Sequence, residues 1–75
     1  MFDSFKEIVA SWPSRKALAE AMGNVTPRQT QKWFERDYIP DENWRRLAEV
    51  THDSEAKRRD FVYHLAYLAS RRLAA

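Results

Sequence analysis

The residues best equipped for chemistry lie in one short run, Thr26 to Phe34, which reads Thr-Pro-Arg-Gln-Thr-Gln-Lys-Trp-Phe. Helical spacing divides this run and its continuation. Arg28, Gln31, Lys32 and Glu35 fall on one face; Thr30, Trp33 and Asp37 fall on the other. The first face carries long hydrogen-bonding and cationic side chains, the types that read base edges and hold phosphates, with glutamine a known partner for adenine. The second carries an indole suited to packing. Three features write a helix start into the same run. Thr26 is a capping hydroxyl, Pro27 suits the first helical position because its missing N–H would have been an orphan there, and Gln29 completes a capping box.

Composition narrows the alternatives. With no cysteine in 75 residues, disulfides, thiolate zinc sites and a cysteine nucleophile are excluded. His52 and His64 lack the spacing and companions of a metal site, so no metal and no cofactor is expected. Neither a nucleophile elbow nor a phosphate-cradling glycine loop nor a paired-carboxylate motif is present, which speaks against an enzyme and against a small-molecule ligand. No apolar run approaches the ~18 residues of a membrane span, and no signal pattern opens the chain. A cytoplasmic or nucleoid location is therefore expected. The overall balance of 13 Lys+Arg against 11 Asp+Glu says little, but its distribution says more. Between Ser14 and Arg36 lie Arg15, Lys16, Arg28, Lys32 and Arg36 against Glu20 and Glu35, a local excess of three. Such a local basic surface is what a nucleic-acid footprint needs.

Positioning that surface requires a scaffold, and the chain is long enough for one small domain, 1–75, able to bury roughly 60% of its unfolded surface. Phe5, Ile8, Val9 and Trp12 recur at helical spacing, with Ser4 and Glu7 as a capping box and Pro13 as the stop. Ser14 caps a second helix, Arg15 to Met22, with Leu18, Ala19 and Met22 as its buried stripe and small alanines that allow close approach. Gly23, the only glycine, reads as a left-handed cap, followed by a turn plugged by Val25. The third helix is the run described above. Ile39, extended before Pro40, dips into the core, and Asp41 and Glu42 open a fourth helix with Trp44, Leu47 and Ala48 inward. A longer helix runs from about Glu55 to Leu73 with Phe61, Val62, Leu65, Leu68, Ala69 and Leu73 along its stripe. The expectation is an all-α, compact five-helix bundle with one core, and all three tryptophans within it.

A helix, a glycine turn and a capped helix bearing Arg, Gln and Lys form the helix-turn-helix pattern. The first helix of such a pair lays its start, here Ser14, Arg15 and Lys16, against phosphate, where free N–H groups and cations both favour anions. From about Ser14 to Trp44 the chain resembles the Cro/CI-like regulators of phages and bacteria, the lambda-repressor-like helix-turn-helix group. The residues that carry the resemblance are Arg-Lys-Ala-Leu-Ala-Glu-Ala-Met-Gly, Val25-Thr26, Trp33, and Ile39-Pro40 before a Trp-bearing helix. The resemblance implies base contacts from Thr26, Pro27, Arg28, Gln31 and Lys32, and a phosphate contact at Arg15 or its neighbours. Gln29 joins the base-reading candidates, although a capping-box partner can instead turn back to the helix start. Arg36 joins the phosphate candidates, although it can equally pair with Asp37 or Glu35. Two departures stand out: one residue more than usual before Trp33, placed at Asn24, and Thr30 where the family has Val or Ile. A homeodomain reading of Trp33-Phe34 fails because Arg36, Asp37 and Pro40 stop the helix.

The resemblance implies a small transcriptional regulator, a phage-type repressor bound to double-stranded DNA as a homodimer. The last helix, 54–73, has more apolar positions than one small core needs, and Phe61, Tyr63, Leu65, Tyr67 and Leu68 are its dimer-contact candidates. The alternative is a protein-interaction module, or a transcription activator or adaptor, that contacts RNA polymerase or another regulator. A membrane-surface helix is disfavoured by Glu55 and Asp60 within the same segment.

Overall fold

The structure is a computed structural model that describes residues 2–74, with side chains through Arg72. Leu73, expected on the last apolar stripe, has its side chain outside the described residues. Five α-helices follow one another: α1 Phe5–Ala10, α2 Arg15–Met22, α3 Pro27–Arg36, α4 Trp44–Thr51 and α5 Glu55–Ala74. The described residues contain no strand. No helix among them is long and apolar enough to cross a membrane. Helix starts follow the sequence closely, except that the Glu7 carboxylate, expected to close a box on Ser4, accepts the Asp3 N–H instead. The Ser4, Ser14 and Thr26 hydroxyls each accept the backbone N–H three residues on, satisfying one orphan donor of the first turn. The fourth helix departs from expectation: Asp41–Asn43 form a 3-10 turn, and the α-helix proper begins at Trp44.

The helices group into two compact units, Met1–Ile39 and Pro40–Ala75. In the first, α3 packs on both α2 and α1. Its buried residues are Phe5, Ile8, Val9, Leu18, Ala19, Met22, Thr30, Trp33 and Ile39. Phe5 meets Tyr38 edge to face at 5.3 Å. Trp12 is only half-buried, so of the tryptophans here Trp33 alone is a core residue. α3 ends at Asp37, which adopts φ 53° and ψ 47°, left-handed backbone that a non-glycine residue enters at a cost. Its carboxylate accepts the Lys6 backbone N–H at 2.9 Å, an orphan donor in the first turn of α1. One aspartate thus ends one helix and caps another.

In the second unit α4 packs on α5, with Leu47, Ala48, Phe61, Leu65 and Leu68 buried. Trp44 is half-buried. The Arg58 guanidinium donates to the His52 and Glu49 carbonyls at 2.9 and 3.4 Å, covering free acceptors at the end of α4. The His52 ring meets Phe61 edge to face at 5.0 Å, and the His64 ring stacks on Tyr67.

The dimer-contact candidates need correction. Phe61, Leu65 and Leu68 retain 6%, 0% and 4% exposure and belong to the interior, where their three- and four-residue spacing directs them. Tyr63 and Tyr67 lie on the opposite side of α5 and remain 67% and 54% exposed.

Candidate nucleic-acid interface

The candidate surface is built by α2, its turn and α3, all within the first unit. α2 stops at Gly23, whose φ of 80° is left-handed and whose N–H reaches the Ala19 carbonyl at 2.9 Å. A side chain here would crowd the following carbonyl, so glycine lets the chain turn within Gly23-Asn24-Val25-Thr26. α3 then starts on a complete capping box. The Thr26 hydroxyl accepts from the Gln29 N–H at 3.2 Å, and the Gln29 side-chain oxygen accepts from the Thr26 N–H at 2.7 Å. Of the two roles weighed for Gln29, the fold uses the cap. Its amide oxygen is held at the helix start.

Two residues seat α3. Trp33 is 6% exposed and supplies the apolar contact. Thr30 is fully buried, and its hydroxyl lies 2.9 Å from both the Arg15 and Pro27 carbonyls, sharing one proton between α2 and its own helix. Buried polar groups persist where they are hydrogen-bonded, and this one stitches the start of α2 to the underside of α3. The valine or isoleucine of the resembled family has no such bond.

The outer side of α3 presents Thr26, Pro27, Arg28, Gln29, Gln31, Lys32, Glu35 and Arg36, all exposed. Ser14 and Lys16 are exposed at the start of α2. Arg28, Lys32, Lys16 and Arg36 make no hydrogen bond or ion pair among the described residues. Arg36 thus pairs with neither Asp37 nor Glu35. The Ser14 hydroxyl is used as a cap, accepting the Ala17 N–H at 3.0 Å.

Arg15 differs from the free cation expected at its position. It is half-buried, and its Nε donates to Gln31 Oε1 at 3.3 Å and its Nη1 to the Val9 carbonyl at 3.3 Å. Its guanidinium lies 4.6 Å from the centre of the Phe34 ring, which Lys6 also approaches at 5.4 Å. Phe34 was absent from the sequence-based candidates. Its place beside Trp33 gave no signal, because the cations it holds come from α1 and α2. Gln31 is engaged at both ends, since its Nε2 also donates to Glu35 at 3.2 Å.

Chemically this surface offers exposed cations and a polar helix face. Among the described residues no three His, Cys, Asp or Glu come together to hold a metal ion. Comparison of the chain with family models, with curated proteins and with solved structures returns no match.

Proposed function

We propose that α2, the Gly23 turn and α3 form a helix-turn-helix of the lambda-repressor-like kind, and that the chain is a sequence-specific regulator of transcription acting on double-stranded DNA in the cytoplasm or nucleoid. One observation carries the reading. α3 keeps Thr30 and Trp33 inside while Arg28, Gln31 and Lys32 stand together in solvent on its opposite face. A major groove admits one helix presented in this way. Arg28, Lys32 and Gln31 read bases, Thr26 and Pro27 meet the groove edge, and Lys16, Ser14 and Arg36 meet phosphates, with Arg15 adding only the donors left over from its internal bonds. Two protomers, joined through the Tyr63 and Tyr67 side of α5, place their reading helices in successive major grooves about 34 Å apart on a pseudo-palindromic operator. Occupancy of that site is the means of repression.

The test is selection of bound fragments from a random duplex pool at moderate salt. Two related half-sites, one helical turn apart, are the expected result; an unenriched pool refutes the reading. A second reading, a module that holds RNA polymerase or another regulator, is favoured by the exposure of Tyr63 and Tyr67, since large aromatics at 67% and 54% exposure are common at interface cores. It predicts an unenriched pool and loss of partner binding on Tyr63→Ser.

A further inference from the structure

The Gln31 amide sits between two charged groups that come from different places in the chain. Its oxygen accepts from the Arg15 Nε, and its nitrogen donates to the Glu35 carboxylate one turn along α3. Arg15 is itself fixed by the Val9 carbonyl and the Phe34 ring, so the oxygen-side anchor is rooted in α1, α2 and α3 together. Chemistry assigns the amide's orientation here. Turning it over would set N–H against a guanidinium that can only donate, and oxygen against a carboxylate that can only accept.

We propose that Arg15 and Glu35 are positioning residues that clamp the Gln31 amide in a single orientation, making the base beneath it an adenine. The clamp is a property of the free protein, while its use in base choice rests on the DNA reading above. An amide oxygen has two lone pairs and its nitrogen two protons. The clamp uses one of each, leaving one acceptor and one donor. Adenine presents the matching pair in the major groove, the N6 donor and the N7 acceptor, whereas guanine presents two acceptors, N7 and O6. A glutamine free to rotate tolerates either purine; a clamped one sets its remaining oxygen against guanine O6. Glu35 also explains itself in this scheme. A carboxylate on an otherwise cationic reading face opposes phosphate, and the orientation it imposes on Gln31 is the compensating gain.

Three proteins test the idea: wild type, Glu35→Ala, and Glu35→Gln, in which the new amide oxygen still accepts. Glu35 is exposed, so neither substitution threatens the fold. In the free protein, side-chain relaxation of the Gln31 Nε2 group is expected to give an order parameter near ~0.8 in wild type and Glu35→Gln, falling below ~0.6 in Glu35→Ala. Mobility already present in wild type overturns the clamp. In the duplex selection, wild type and Glu35→Gln are expected to favour adenine over guanine by about tenfold at one position, and Glu35→Ala by no more than about threefold. Loss of the negative charge raises affinity for random duplex in both variants alike, which separates electrostatics from orientation. An unchanged preference in Glu35→Ala, with wild type selective, overturns the adenine assignment while the DNA reading stands. A rigid amide with no enrichment by wild type sinks the DNA reading and the adenine assignment together and leaves the clamp upheld.

Discussion

Thr30 is a residue whose single hydroxyl joins two helices, and its contribution divides into separable parts. Removing the buried methyl forfeits roughly 0.8 kcal/mol of transfer free energy, and removing the bond about 1 kcal/mol more. Thr30→Ala is therefore expected to lower stability by about 2 kcal/mol, read as an earlier urea midpoint with an unchanged slope. No change in midpoint shows that the hydroxyl and methyl contribute nothing. On the proposed DNA reading the exposed cations divide by role in the same way. Arg28→Ala is expected to cost on the order of 1–3 kcal/mol on the selected site only, and Lys16→Ala to weaken all duplexes alike. Equal losses on selected and random DNA for both variants refute this division, and fluorescence anisotropy on the two duplexes decides it. Arg28 and Lys32 were legible as outward-facing because helical periodicity fixes direction once Trp33 points inward. Arg15 was not, because its partners Val9 and Gln31 lie six and sixteen residues away and only tertiary packing brings them to it.

At the level of the elements, the starts of α1, α2 and α3 were written in the sequence, since a capping hydroxyl acts on an N–H three residues away and needs nothing distant. The end of α2 was equally legible. Gly23 holds a φ of 80°, which costs an L-residue about 1–2 kcal/mol. Gly23→Ala is accordingly expected to lower the melting temperature by several degrees, with Gly23→Asn affected less; equal melting temperatures for Ala and Gly contradict the left-handed assignment. The end of α3 was legible as a stop at Arg36, Asp37 and Pro40, but the bond that supports it was hidden. Asp37 takes the same backbone region without being glycine, and its compensating bond to the Lys6 N–H spans thirty-one residues. The 3-10 turn at Asp41–Asn43 escaped for a related reason. Asp41 and Glu42 favour any helical N-terminus electrostatically and do not distinguish the tighter helix from the α form. α5 misled through its richness. Its apolar and aromatic positions looked like surplus, yet Phe61, Leu65 and Leu68 are buried and Val62 is half-buried, and Tyr63 and Tyr67 are the large apolar residues left exposed among the described ones.

For the molecule as a whole, the fold class followed from periodicity, but the division at Ile39–Pro40 into two units did not, because one apolar stripe per helix does not say which stripes meet. Charge, by contrast, is a whole-chain property the sequence states outright, and it yields the last prediction. The net value of +2 is too small to drive binding by itself. The exposed cations Lys16, Arg28, Lys32 and Arg36 all lie within Met1–Ile39, and none is paired among the described residues. If these four side chains each displace a counterion, the double-logarithmic plot of duplex affinity against salt falls with a slope of about −3 to −4 per protomer. Lys16→Ala is expected to reduce that slope by about 0.9 on random duplex, and a substitution at Tyr63 to leave it unchanged per bound protomer. A wild-type slope near zero means that these cations are merely solvated, and then the tyrosines of α5 become the surface through which the chain works.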